Sequence, residues 1–132
     1  IWIDRRPGKK QRVAVCDRAH HTVQFLEMDG NNVETLKGYG LPANIDTWKN
    51  LMLVPELHAR VTLLNEKNEV VARLGDAIEG VVKKKTVNRG KPETWKNGKF
   101  VHPHDACFGA KGDIFIAEWV GTGRVTKLKR VA

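Results

Sequence analysis

The chain has 132 residues and a mass of 14.9 kDa, which suits a single compact domain. Its hydrophobic content of 41% is ordinary for a globular protein, and no apolar run approaches the roughly 20 residues that cross a bilayer as a helix, so we expect no membrane span. The 23 Lys and Arg residues exceed the 15 Asp and Glu residues, and the formal net charge of +8 admits nucleic acid or another anionic partner.

A unit of four strands is predicted over residues 1–40. An extended segment at residues 1–4 comes before a Pro7-Gly8 turn, and two runs with apolar residues at alternate positions follow at 13–17 and 22–26. A further strand is predicted near residues 33–36, after the Asp29-Gly30 turn. Alternation rich in β-branched and aromatic residues favours strands over helices.

The same order recurs twice. Residues 41–78 contain an extended segment at 42–46, alternating runs at 51–56 and 60–64, and a strand near 70–74. A third unit at residues 100–132 has an extended segment at 103–108 and runs at 114–118 and 124–128, and a basic insertion at about 79–99 precedes it. Short antiparallel strands in units of about 40 residues are typical of β-propeller blades.

The third unit resembles an NHL repeat, as found in six-bladed β-propellers. The matching segments are Pro103-His104-Asp105-Ala106, Gly112 to Trp119, and Gly123 to Leu128; the first two units match more loosely. The resemblance implies an all-β fold. It would be a β-propeller segment of about three four-stranded antiparallel blades, which is half of a six-bladed ring. Since three blades cannot close a ring, we expect further blades upstream of Ile1, or a second copy that makes a homo-oligomer.

Residues that open the innermost strands are predicted to bind a ligand, because these strands begin at the mouth of the central channel. Asn44, His104 and Asp105 hold such positions. Resemblance to the amidating lyases of this fold implies zinc at His104 and calcium near Asp105. The matching position of the second unit is Ala43, which offers no ligand. We therefore favour a scaffold that binds a small molecule or protein, with a metal-dependent lyase or hydrolase as the alternative.

The insertion offers a third possibility, which is RNA binding. Lys83, Lys84 and Lys85 suit phosphate contacts, and Trp95 suits stacking against a base or another ligand. The basic residues of the chain as a whole are spread over both ends of the predicted blades, which argues against one nucleic-acid surface. The favoured interpretation is a lid over the channel with Trp95 packed against a blade.

An acidic residue ends the second strand of each unit, and an arginine follows shortly after it. We expect structural ion pairs within the blades, because recurrence in every unit is unlike a catalytic group. The predicted pairs are Asp17 with Arg18, Glu56 with Arg60, and Glu118 with Arg124.

The remaining histidines and cysteines are also interpreted as structural. His20, His21 and His58 lie in predicted loops, where solvated side chains are expected. Cys16 and Cys107 lie in apolar strands of different units, which favours buried free thiols over a disulfide or a nucleophile.

Overall fold

The computed structural model describes residues 1–131, so Ala132, the last residue of the third predicted unit, lies outside the described residues. Eleven strands in the described part form three antiparallel sheets. The first sheet contains β1 (Trp2–Asp4), β2 (Arg12–Asp17), β3 (Thr22–Leu26) and β4 (Asn32–Lys37). The second contains β5 (Asp46–Trp48), β6 (Leu51–Glu56), β7 (Arg60–Leu64) and β8 (Val70–Leu74). The third contains β9 (Pro103–Phe108), β10 (Ile114–Glu118) and β11 (Arg124–Leu128).

Consecutive strands are neighbours in all three sheets, so each sheet is a meander of the kind that forms a propeller blade. We call them blades 1, 2 and 3 in chain order. The predicted all-β fold with blade-like antiparallel sheets is confirmed, and the sheets do not close into a ring within residues 1–131.

The innermost strand of blade 2 begins later than the sequence predicts. Extended pairing was expected from Pro42, but Pro42 makes only an isolated bridge to Glu56, and β5 starts at Asp46. The Ala43 N–H donates to the carbonyl of Pro55 at 2.9 Å. Because Pro55 has no N–H to donate in return, the ladder is interrupted there.

Strand register aligns the blades residue by residue. The second and third strands pair Ala14 with Phe25 in blade 1, and Phe115 with Lys127 in blade 3. Successive side chains of a strand point to opposite sides of the sheet. Each blade therefore has a leading face, towards the preceding blade, and a trailing face, towards the following one.

Blades 1 and 2 meet in an apolar cluster. Val23 and Phe25 on the trailing face of blade 1 pack with Met52, Val54 and Leu64 on the leading face of blade 2, and all five are fully buried. The two sheets therefore pack face to face, with their apolar side chains buried between them.

Blades 2 and 3 repeat this arrangement. Leu53 and Val61 of the trailing face of blade 2 share a second buried cluster with Phe100 and with Ile114 and Ile116 of blade 3. The Trp48 ring stacks on Phe108 with its centre 6.0 Å away and closes the cluster at one end.

The segment between β8 and β9 is mostly irregular. It contains a one-turn π-helix at Glu79–Lys83 and a short 3-10 helix at Pro92–Thr94. No helix within residues 1–131 has the length and apolar character needed to cross a membrane.

Candidate functional site

Glu56, the acidic residue that ends the second strand of blade 2, is buried and holds the backbone that leads into the blade by hydrogen bonds. Glu56 accepts hydrogen bonds from Arg60 Nε at 2.9 Å, Thr62 Oγ1 at 2.5 Å and the Gly40 N–H at 2.5 Å. Arg60 also donates to the carbonyl of Gly38 at 2.8 Å. The predicted ion pair is present and closes around the entering backbone.

Blade 3 repeats this clamp. Glu118 pairs with Arg124 and accepts the Val101 N–H at 2.7 Å, while Arg124 donates to the carbonyl of Lys99 at 3.0 Å. In both blades the bound carbonyl lies two residues before the bound N–H. Repetition at the same positions gives these charges a structural role.

Blade 1 departs from the pattern, and the predicted pair of Asp17 with Arg18 is wrong. Asp17 instead pairs with His20 Nδ1 at 2.8 Å and accepts a hydrogen bond from Gln24 at 2.7 Å. The residue opposite Asp17 in the ladder is Thr22, so no arginine faces the carboxylate. The bond to His20 lowers the pKa of Asp17 below its ordinary value.

Asn44 and Asp105 meet where blades 2 and 3 approach each other. Each residue lies two positions after a proline, Pro42 or Pro103, and Asn44 Nδ2 donates to Asp105 Oδ1 at 2.5 Å. His104 is exposed beside this pair. An open depression of about 260 Å³ is lined here by His104, Asp105, Ala117, Glu118 and Trp119.

Sequence reasoning missed an aromatic side chain that lines this depression, Trp119, and a cationic side chain that stacks on it, Arg89. Trp119 is 55% exposed, and the Arg89 guanidinium lies 3.8 Å from the centre of its ring. The carbonyl of Arg89 accepts the Gly121 N–H at 2.9 Å, which joins the insertion to blade 3. A large aromatic directly after the strand-ending Glu118 was the available signal for Trp119.

Trp95 does not line the depression at His104. Its Nε1 donates to the carbonyl of Asn88 at 2.7 Å, and the Arg124 guanidinium lies 4.8 Å from its ring centre. Trp95 thus packs against the clamp of blade 3, a contact that suits the lid interpretation more than ligand stacking.

The lysines of the insertion are partly neutralised. Lys83, Lys84 and Lys85 are all exposed, and Lys83 and Lys84 lie 3.2 and 3.4 Å from the carboxylate of Glu79. RNA binding through this segment stays a prediction. Beneath the insertion, a separate cavity of about 440 Å³ is lined by charged and apolar residues that include Asp76, Glu79, Lys96, Lys99 and Phe100.

Metal ligands do not converge around His104. In the described part of the chain, no three His, Cys, Asp or Glu side chains form a group that could hold a metal ion. Catalytic zinc sites use three protein ligands, so His104 and Asp105 alone do not fit a zinc centre. A catalytic zinc ion here would need at least one further protein ligand that residues 1–131 do not bring to His104.

The loop histidines divide into two groups. His20 and His21 are exposed, as predicted, but His58 is half-buried and the prediction of a solvated side chain is wrong for it. His58 lies so close to Gly40 that a Cβ on that glycine would meet the His58 Cβ at 2.4 Å. Burial, assisted by the His21 ring 5.7 Å away, lowers the pKa of His58.

The two cysteines are free, as predicted, but only one is shielded. Cys16 is half-buried, its thiol donates to the carbonyl of Asn44 at 3.3 Å, and burial raises its pKa to about 11. Cys107 is exposed, contrary to the prediction of burial, because it lies on the trailing face of blade 3, which no part of residues 1–131 covers.

No protein-family model matches the chain, and no curated protein matches it.

Proposed function

We propose that the chain is an NHL-like propeller segment that acts as a binding scaffold and holds a ligand at the channel mouth. The observation that carries this proposal is the hydrogen bond from Asn44 to Asp105, which joins two blades beside the exposed side chains of His104 and Trp119. These four residues form the candidate binding site.

The chemistry of the site suits recognition of a flat molecule with polar groups. Trp119 is 55% exposed even with the Arg89 guanidinium over its ring, so the rest of the indole offers a stacking surface. The imidazole of His104 and the carboxylate of Asp105 offer directional hydrogen bonds. The neighbouring Glu118 is held by its clamp to Arg124, so the backbone beneath the site is fixed. A small aromatic molecule, or an aromatic side chain of a protein partner, has the required shape and bonding groups.

Binding is favoured over catalysis by the composition of the site. Asp105 already accepts the Asn44 amide, and Glu118 is occupied by Arg124, which leaves His104 as the one proton-transfer group lining the depression without such a partner among residues 1–131. A lyase or hydrolase would need a nucleophile or a metal-bound water beside it.

Nuclear magnetic resonance with simple probes tests the proposal. Indole, tyrosine amide and benzamidine are titrated into the chain while the indole N–H resonance of Trp119 is followed. At least one probe is expected to shift this resonance in a saturable manner, with affinity lost in His104→Ala and kept in the control His20→Ala. In Trp119→Ala, which lacks this resonance, binding is followed by line broadening of the probe's own signals, and the broadening should disappear. Absence of a Trp119 shift with all three probes contradicts the proposal.

A zinc titration distinguishes the metal-dependent alternative. Saturable Zn²⁺ binding that needs His104 and is reversed by chelation would favour that alternative, even if the organic probes do not bind. Unchanged spectra on zinc addition would leave the scaffold as the better account.

A further inference from the structure

The trailing face of blade 3 carries residues that are buried in the other two blades. Strand pairing makes Val23, Val61 and Val125 equivalent, since each pairs with the penultimate residue of the second strand of its blade. Val23 and Val61 are 0% exposed, whereas Val125 is 75% exposed. Val125 therefore lacks the neighbouring sheet that buries Val23 and Val61.

A second set of equivalent positions shows the same contrast. Ala14 and Leu53 are 0% exposed, whereas Phe115 is 36% exposed. Around it lies a shallow depression of about 100 Å³, lined by Asp105, Ala106, Cys107, Phe115, Ile116, Ala117 and Val125. Its volume is of the size that one aliphatic side chain fills.

The structure also shows what covers such a face. The trailing faces of blades 1 and 2 are each covered by the leading face of the next blade, whose second strand presents Val54 or Ile116 at the same register position. Both of these side chains are 0% exposed.

Blade 1 has a leading face of the same kind, and it is incompletely covered. The residue equivalent to Val54 and Ile116 is Val15, and Val13 and Leu26 lie beside it on the same face. All three are apolar and only half-buried. One chain thus carries both halves of the blade-to-blade interface, at opposite ends.

We propose that the trailing face of blade 3 docks onto the leading face of blade 1 of a second copy of this chain. The reciprocal contact between the two remaining faces then forms by symmetry. Two identical contacts related by a twofold axis close the assembly, so two copies of the 132-residue chain would bring six blades into one ring. The interface continues the packing already present between blades 1 and 2 and between blades 2 and 3.

Lys127 brings a charge to the trailing face of blade 3, at a position where the other blades have the apolar side chains of Phe25 and Leu63. Its ammonium group lies 2.9 Å from Asp113 and 5.3 Å from the centre of the Phe115 ring. Because Lys127 is paired within its own blade, its aliphatic stem can lie along Phe115 without leaving an unpaired charge in the interface.

Sedimentation velocity on the 132-residue chain tests the proposal. We expect a single species with twice the 14.9 kDa mass of the chain. Val125→Lys and Val15→Glu should each weaken the dimer by at least about 30-fold. Val71→Glu is the matched control. Val71 is 52% exposed and lies on β8 of blade 2, which contributes to neither docking face, so this substitution should leave the dimer unchanged.

Mixing the two variants makes the test specific. A dimer of one Val125→Lys chain and one Val15→Glu chain has one unmodified interface and one in which opposite charges face each other. Dimer should therefore reappear on mixing, although each variant alone is monomeric. If Val15→Glu disrupts folding, as judged by circular dichroism, the comparison of Val125→Lys with Val71→Glu decides alone.

A monomeric parent chain overturns the proposal, as does a dimer that Val125→Lys leaves intact. An assembly of three or more copies would also overturn it, because closure by two copies would then be wrong. The probe-binding experiment follows Trp119, which lines the depression at His104 and not the one at Val125, so failure of the dimer and failure of the ligand site can be told apart.

Discussion

Glu56 and Glu118 hold the same position in consecutive blades, and each accepts a backbone N–H from the segment that enters its own blade, 16 and 17 residues earlier in the chain. Because each carboxylate also pairs with an arginine that bonds a carbonyl of that segment, the start and the middle of a blade are fastened together. This clamp fixes the backbone that leads to Asn44 and to His104.

The clamp of blade 2 should be a major source of stability. Glu56→Gln removes the nearer of the two carboxylate charges beside the buried guanidinium of Arg60, the other being Asp76 at 3.9 Å, and breaking a buried pair typically costs about 3–5 kcal/mol. Urea denaturation should show a loss of this size. Glu79→Gln is the control, because its pairs with Lys83 and Lys84 are exposed and should contribute at most about 1 kcal/mol. Equal losses in the two variants would contradict the structural role of the clamp.

A buried arginine should be just as important at the contact between blades 1 and 2. Arg6 is bonded to Asp4 at 2.8 Å, to the carbonyl of Asn65 at 2.7 Å and to Asn68 at 2.6 Å. Arg6→Ala leaves the carboxylate of Asp4 buried without its partner, so we expect a loss of about 3 kcal/mol or more in the free energy of unfolding. The neighbouring Arg5 is exposed, and Arg5→Ala should change thermal unfolding little. A mild effect of Arg6→Ala would show that the two blades do not depend on this network.

A side chain at Gly112 should destabilise the fold. Its φ is +85°, and an added Cβ would lie 2.8 Å from Trp48 and 2.9 Å from Arg130. Gly98→Ala provides the control, because its φ is +72° and nothing lies within 4 Å of the added atom. Both substitutions cost about 1 kcal/mol for the left-handed backbone, and Gly112→Ala should cost a further 1–3 kcal/mol, roughly, for overpacking. Equal melting temperatures would contradict the packing of Trp48 between blades 2 and 3.

Stability should fall on mild acidification because of His58. Burial and the nearby His21 hold the pKa of His58 in the folded chain below its ordinary value of 6.5. The unfolded chain therefore binds a proton first as the pH falls below about 6.5, and linkage then favours unfolding. Melting temperatures between pH 7.5 and 5.5 should decline less in His58→Gln than in the parent chain. Parallel pH profiles would show that His58 titrates normally.

The strands of each blade were predictable because apolar residues at alternate positions indicate a strand locally, and because the three units repeat the same order of strands. The meeting of Asn44 with Asp105 was predictable for a related reason, since equivalent positions of a repeat lie side by side. The exposure of Cys107 was not predictable, because the cover of a strand face depends on the neighbouring blade and not on the strand.

Two side-chain contacts could not be predicted from the sequence. Arg89 stacks on Trp119 from 30 positions away in the chain, across an insertion that has no periodicity to indicate its path. Asp17 was assigned to the wrong partner because proximity in sequence suggested Arg18, whereas the ladder places Thr22 opposite it.

A crystal structure of the 132-residue chain tests most directly whether these sheets are wedges of a circular array. The expected result is six sheets around one channel, with His104 at its mouth and Val125 buried beneath the leading face of blade 1 of the partner subunit. A self-contained barrel or sandwich, in which Val125 is covered by the same chain, would contradict it.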